Sequence, residues 1–204
     1  MKLLHATGND LKYSLMKKRL EEFKEIELIT PKMLGIKIDV EEDGKTAEEN
    51  SIKKAKAYYE IAKIPVIAED AGLYIDKFKE NEQPGLFVKR VNGIDGLSNE
   101  EILKYYIDKL NEYGGESLAN YYTGVCVIDN DGNIHSDTLD ETKFLLTSKK
   151  CNKQSLDGGI LECISYDLDA GKYFDERNKE EEDYHYKDLN EKYRNIIKKY
   201  ILNK

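Results

Sequence analysis

Apolar and polar positions along the chain alternate between two periods, and the changes of period mark the elements. Residues 2 to 6, KLLHA, form a short apolar run that predicts a buried strand. From Asn9 to Phe23, Leu11, Leu15, Leu20 and Phe23 fall at roughly helical spacing. EIELIT reads as a second strand, closed by Pro31. Thr46 and Glu49 have the T-x-x-E spacing of a capping box, and Ile52, Ala55, Tyr59 and Ala62 supply one stripe, so a helix is predicted from about 46 to 62. PVIAEDAGLYID follows as an apolar strand that runs into Glu69 and Asp70, and the two carboxylates are expected where that strand ends, beside Gly72.

Ser98 and Glu101 open another capped helix, with Ile102, Leu103, Tyr106 and Leu110 on its apolar side. NYYTGVCVIDNDGNIHSD reads as a hairpin turning at Asp131-Gly132, and KFLLTS as a further strand. A last helix is expected from about Asp183, with Leu189, Tyr193, Ile196, Tyr200 and Ile201 near one face. Strands alternating with helices, plus one hairpin, predict an α/β domain with a mixed sheet.

The length of 204 residues suits one substantial core, so residues 1–204 are read as one domain. A net charge of −8 argues against broad capture of DNA, RNA or an anionic membrane, although a local lysine cluster or a metal can still hold a small anion. Cys126, Cys151 and Cys163 form no metal-ligand spacing and read as reduced thiols of a cytoplasmic protein. No targeting segment and no run of membrane-spanning length is visible.

Three stretches carry candidate chemistry. In ATGNDLK, a glycine-containing turn between strand and helix lets backbone N–H groups face an anion, while Thr7 and Asn9 add hydrogen bonds and Lys12 adds charge. The plainer alternative is an ordinary turn in which Asn9 caps the helix and Lys12 is solvated. In EEDGKTAEENSIKKAKA, Asn50 and Lys54 share a helix face behind Glu41, Glu42 and Asp43, which otherwise read as a solvated acidic loop. In IAEDAGL, Glu69 and Asp70 offer hard oxygen ligands for Mg²⁺ or a base for water; otherwise they cap a turn. His5 reads as a packed core or edge residue, His135 as exposed, and the run ERNKEEEDYHYKD as a solvated face around the start of the last helix.

The order and spacing of these pieces resemble the inosine/xanthosine triphosphate pyrophosphatase family. The matching segments are Ala6-Thr7-Gly8-Asn9 with Lys12, then Glu41 to Gly44 with Thr46, Asn50, Lys54 and Ala55, then Ala68 to Leu73, then Pro84-Gly85 with Arg90. The likeness is strong over roughly the first 96 residues. Beyond them the chain departs from the pattern. In GGILECISYDL, Tyr166 and Asp167 match the base-recognition signature, whereas Ile164, Ser165 and Leu168 replace its aromatic, glycine and proline. In YHYK, His185 matches, Tyr186 stands where the family has arginine, and Lys187 is the neighbouring charge; Lys172 aligns with an earlier family lysine.

The resemblance implies an elongated, two-lobed α/β domain, with helices flanking a central mixed sheet and a nucleoside triphosphate in a cleft between the lobes. It implies a hydrolase acting on acid anhydrides, releasing pyrophosphate from ITP, dITP or XTP and so cleansing the nucleotide pool. Thr7, Gly8, Asn9, Lys12, Lys54, Ala71 and Arg90 would contact the substrate, as would Tyr166, Asp167, Lys172, His185 and Lys187 on the base side. Glu42, Asp70 and Glu69 would hold Mg²⁺, with Asp70 also orienting or deprotonating the attacking water. A homodimer is implied as well. Two further readings stay open: a nucleotide-binding relative with little turnover, and a pyrophosphatase with another base preference.

Overall fold

The computed structural model describes residues 1–91, 93–152 and 159–203. Eight strands among them make one mixed sheet in the order β2-β1-β3-β4-β6-β7-β8, with β5 against β4. The chain forms two compact units, one of Met1–Ala71, Tyr122–Leu139 and Asp188–Lys204, the other of Gly72–Tyr121 and Asp140–Lys187.

In the first unit, β1 (Lys2–His5) lies between β2 (Glu27–Ile29) and β3 (Val66–Ile75), parallel to both. Because side chains alternate across a strand, Leu4, Ala6, Val66 and Ala68 join one core with Ala55 and the half-buried Ile52 and Tyr59 of α2 (Ala47–Ala62). Thr46 caps α2 by accepting from the Glu49 N–H at 3.1 Å, while the Glu49 carboxylate takes the Lys45 N–H, one residue before the position a capping box requires. The hairpin is present as β4 (Glu116–Ile128) and β5 (Ile134–Asp140). Gly124 on β4 is required by close approach, since a Cβ there would lie 2.2 Å from the Glu48 nitrogen and 2.3 Å from the Ala47 carbonyl carbon.

Three boundaries and faces differ from expectation. Helix α1 spans Asp10–Arg19, and its buried side is Met16 and Arg19, continued by Leu20 and Phe23, while Leu11 is half exposed. The single last helix is two, α4 (Lys179–His185) and α5 (Lys187–Tyr200), because Asn178 and Glu181 form a reciprocal cap that starts α4 ahead of Asp183. The buried face of α5 continues from Leu189 and Tyr193 to Ile197 and Ile201, so Ile197 replaces the expected Ile196. His135, expected to be exposed, is half-buried: its ring stacks on Tyr200 at 4.0 Å and its Nε2 lies 2.9 Å from Asp129 Oδ2.

The second unit packs α3 (Asn99–Glu112) on the sheet through Ile102, Leu103, Tyr106 and Leu110, against Leu73, Ile75, Ala119, Phe144 and Leu146. Ser98 and Glu101 cap α3 reciprocally, and KFLLTS contains β6 (Phe144–Thr147). Strands β7 (Ser165–Asp167) and β8 (Lys172–Tyr173) extend the sheet antiparallel to it. Gly72 and Gly85 touch across a two-hydrogen-bond bridge between Leu73 and Gly85; Gly85 has φ of 52°, and a Cβ on Gly72 would meet the Gly85 carbonyl carbon at 3.2 Å. No helix among the described residues is long and apolar enough to cross a membrane.

Candidate active site

The parallel register of β1 and β3 pairs His5 with Ile67, and Ala6 N–H donates to the Ile67 carbonyl at 2.8 Å. The turn Thr7–Asn9 therefore leaves β1 beside the segment of β3 that holds Glu69 and Asp70. In open parallel sheets, ligands collect at this carboxyl end of the strands. Asn9 caps α1, its Oδ1 accepting from the N–H groups of Leu11 at 2.9 Å and Lys12 at 3.3 Å, and Thr7 Oγ1 accepts from the Asn9 N–H at 3.1 Å. The capping geometry of the plainer alternative is thus present, but Lys12 is half-buried rather than fully solvated. Gly8 has no left-handed backbone, and a Cβ there would meet no atom within 4 Å. Neither backbone nor packing demands a glycine; the missing side chain leaves open space at the helix entrance.

Glu69 and Asp70 lie within β3, which continues to Ile75, and not at its end as expected. Period-two alternation therefore sends them to opposite faces of the sheet. Asp70 points to the α2 side. There Asn50 Nδ2 donates to Asp70 Oδ2 at 2.9 Å, and Lys54 Nζ lies 3.5 Å from Asp70 Oδ1 and 3.3 Å from Glu42 Oε1. Asn50 is buried and also accepts from the Gly44 N–H at 2.8 Å, so it ties the acidic loop to the carboxylate. Gly44 is needed for this, because a Cβ would come within 2.5 Å of Asn50 Oδ1. Asn50 was legible as a helix-face partner of Lys54; its hold on Asp70 required the fold. Ala71, the next residue on β3, is half-buried.

Glu69 points the other way. Its carboxylate accepts from the Tyr193 hydroxyl and lies 3.5 Å from His5 Nε2 and 3.7 Å from Arg19 Nη1, in a buried setting. Burial alone would raise its pKa, but the His5 imidazole, the Lys12 ammonium and the Arg19 guanidinium together hold it well below the usual carboxylate range. This geometry corrects the expectation that Glu69 shares a metal with Asp70. Among the described residues no three His, Cys, Asp or Glu side chains converge as a ready metal set; around Lys54 the two carboxylates are Glu42 and Asp70.

In the second unit, Asp167 is buried and both its oxygens are engaged. Oδ1 accepts from the N–H groups of Asp169 at 3.0 Å and Ala170 at 3.1 Å; Oδ2 lies 3.0 Å from Arg177 Nη1 and 3.1 Å from His185 Nδ1. Burial would raise the Asp167 carboxyl, yet the Ala170 N–H, Arg177, His185 and the Asp169 N–H hold it below its ordinary value. Burial pushes His185 down, partly offset by the charge of Asp167. The Arg177 guanidinium lies 3.7 Å from the centre of the Phe174 ring and 5.6 Å from that of Tyr186. Arg177 is the residue that sequence reasoning missed. It sits in the run taken for a solvated face, yet its side chain is only 5% exposed, and it brings a cation to Tyr186 that Lys187 does not. Lys187 is exposed and lies over Tyr184 at 4.2 Å.

The remaining expected residues have local partners. Lys172 Nζ pairs with Glu181 at 2.7 Å, and Tyr166 meets Tyr173 edge-on at 5.3 Å. Arg90 is exposed, paired with Asp95 at 2.6 Å and stacked on Phe87 at 5.0 Å. Ile164, at the position of the expected stacking aromatic, is fully buried in the core of this unit.

A parallel strand that ends in a small-residue turn and a capped helix, in the same unit as two carboxylates bridged by a lysine, marks an α/β protein with candidate groups for an anion and a cation. The chain belongs to the Ham1 family, whose sequence profile matches residues 3–144. It is 42% identical over 102 residues to the dITP/XTP pyrophosphatase of Aquifex aeolicus (strain VF5), covering 50% of this chain and 48% of that protein. It is 34% identical over 131 residues to the protein of the same name from Treponema denticola, covering 63% of this chain and 65% of the relative. The matched segment thus spans between about half and just under two thirds of these relatives. A HAM1 protein from Coxiella burnetii superposes with a TM-score of 0.77 at 19% identity, over 98% of this chain and 99% of its own. The Ham1 protein of Staphylococcus aureus gives 0.74 at 22%, over 96% and 99%. These two likenesses establish the α/β fold.

Proposed function

We propose that this chain hydrolyses nucleoside triphosphates to the monophosphate and pyrophosphate, with ITP, dITP and XTP as substrates and Mg²⁺ as the metal. The observation that carries the reading is the convergence of Glu42 and Asp70 on Lys54, in the same unit as the Thr7–Lys12 turn. The two relatives named dITP/XTP pyrophosphatase support the substrate class.

The donor set fits the metal. Mg²⁺ takes one or two carboxylates and completes its shell with phosphate oxygens and water, and Glu42 and Asp70 are hard oxygen donors already within 3.5 Å of one cationic nitrogen. When bound, such an ion would neutralise phosphate charge and favour ionisation of water. Asp70 has one oxygen held by Asn50, which leaves Oδ1 to orient the attacking water and accept its proton. Lys54, freed from its carboxylates, and Lys12, at the first turn of α1, would meet the charge on the leaving pyrophosphate. The absent side chain at Gly8 lets phosphate oxygens approach the backbone N–H groups.

Action in the cytoplasm, cleansing of the nucleotide pool and a homodimer follow from the same resemblance and belong to this proposal. A pyrophosphatase with another base preference is the second reading, favoured by the buried Ile164 and the closed Asp167–Arg177–His185 set. Pyrophosphate release with Mg²⁺, measured across ITP, dITP, XTP and the standard nucleotides, separates the readings. Turnover confined to ITP, dITP and XTP is expected. Turnover centred on another base retains the mechanism and replaces the substrate; nucleotide binding without turnover overturns the enzymatic reading.

A further inference from the structure

The face of the sheet opposite Asp70 holds a charged cluster in which only Lys12, whose charge acts on Glu69, also belongs to the proposed chemistry. Glu69, His5, Arg19 and Tyr193 are all buried, with Glu69 at 7% exposure and Tyr193 at 1%. Burying ionisable groups is costly unless they satisfy one another, and here the Glu69 carboxylate meets His5, Arg19 and Tyr193. Here each member comes from a different element: His5 ends β1, Arg19 ends α1, Glu69 lies in β3 and Tyr193 on α5. Arg19 is fixed twice more, by its Nε donating to Asn190 Oδ1 at 2.9 Å and by its guanidinium lying 4.3 Å from the centre of the Tyr193 ring.

Glu69 connects this cluster to the other side of the strand by two routes. Its own backbone carbonyl accepts from Lys54 Nζ at 3.1 Å, the same ammonium that bridges Glu42 and Asp70. Its neighbour is Asp70, on the opposite face of the same strand, so whatever fixes the backbone at Glu69 also fixes where the Asp70 side chain starts. His5 and Arg19 lie at the two ends of the segment that contains the Thr7–Lys12 turn.

We propose that Tyr193, Arg19 and His5 are positioning residues that act through Glu69, clamping β3 so that Asp70 and the Glu69 carbonyl hold Lys54 and Glu42 in place. The proposal rests on the pyrophosphatase reading for its kinetic consequence, though not for its structural one. Tyr193 lies on the C-terminal helix, beyond the 3–144 segment that matches the family profile, so the clamp recruits to the site a part of the chain outside that match.

Tyr193→Phe tests it most sparingly, because it deletes one hydroxyl and retains the ring beneath Arg19. Three quantities are compared with the unaltered chain: kcat and KM for ITP, the unfolding midpoint, and hydrogen exchange of the peptide spanning residues 66–75. The expected result is a roughly 10-fold lower kcat with KM within about 3-fold, in keeping with the steep cost of misplacing a reacting group. Exchange at 66–75 should be faster while the protein stays folded. Asn190→Ala, which removes only the Arg19 Nε partner, should show the same pattern at about 2- to 3-fold and serves if Tyr193→Phe does not fold. Unchanged kcat and unchanged exchange in a folded variant overturn the proposal, as does a loss of activity only in proportion to unfolded protein. If the unaltered chain releases no pyrophosphate from any nucleotide, the pyrophosphatase reading fails. Exchange then decides the positioning alone: faster exchange supports it, and unchanged exchange overturns it.

Discussion

The Asp70 set of the first unit and the Asp167 set of the second both gather polar groups around a carboxylate, but one is open and the other closed. Lys54 shares itself between Glu42, which is 46% exposed, and Asp70, at contacts of 3.3 to 3.5 Å that a ligand or ion can replace. Asp167, by contrast, has four partners on two oxygens and side-chain exposure of 2%. A carboxylate with spare lone pairs facing solvent can take on chemistry, whereas a saturated buried one sets geometry. The comparison places candidate chemistry in the first unit and candidate shape selection in the second. The positions that depart from the family pattern, Ile164, Ser165, Leu168 and Tyr186, all lie in the second unit. Ile164 fills core there, and the Arg177 charge reaches Asp167 and the Tyr186 ring.

The strongest way to break this contrast is Asp70→Asn, which retains the shape and the Asn50 contact but removes the proposed base and proposed metal ligand. Turnover is expected to fall by about 10²- to 10³-fold with little change in unfolding midpoint. A comparable loss of stability instead would make Asp70 a scaffold residue like Asp167. Arg177→Met should do the reverse. It strands a buried carboxylate, and unfolding in urea is expected to show a loss of about 3 kcal/mol or more, while the protein that remains folded keeps turning over with altered base preference. An activity loss with stability intact would move Arg177 into the chemistry.

Gly124→Ala sharpens the first unit's packing, since its new methyl meets the backbone of Ala47 and Glu48. A cost of about 1–3 kcal/mol in denaturant is expected. Thr46→Ala, at the other side of the same helix entrance, is expected to cost about 1 kcal/mol.

The mildest test is acid. His185 has a folded pKa below its ordinary 6.5, so in that window the unfolded chain binds more protons and stability should decline as pH falls below about 6.5. Asp167 and Glu69 are likewise lowered from 3.8 and 4.5, so their contributions are fully present above those values and are lost as pH falls below them. Unfolding midpoints measured from pH 8 downward should therefore fall in two stages, the first assigned to the second unit by its loss in His185→Gln.

Much of this was legible in the residues themselves. Strand β1, helices α2 and α3 with their caps, the hairpin turning at Asp131-Gly132 and the mixed α/β class follow from period and turn chemistry, which are local properties. The shared face of Asn50 and Lys54 follows from helical spacing alone. Local rules failed where partners come from far along the chain. Glu69 and Asp70 read as one site because adjacent residues of like chemistry look alike, yet once they lie in a strand, alternation separates them. Arg177 reads as surface because arginine among glutamates usually is. Its burial depends on Asp167 and Phe174 waiting for it, and no periodicity encodes that.

The sequence by itself determined which short segments form strands, helices and turns, and which residue types stand at the ends of them, because backbone preference and side-chain period act within a few positions. Only the tertiary structure decided which face each carboxylate serves: that Asp70 meets Asn50 and Lys54 while Glu69 meets Tyr193, 124 positions away. The reason is that a strand offers two opposite faces, and what covers each is settled by the helices that pack there.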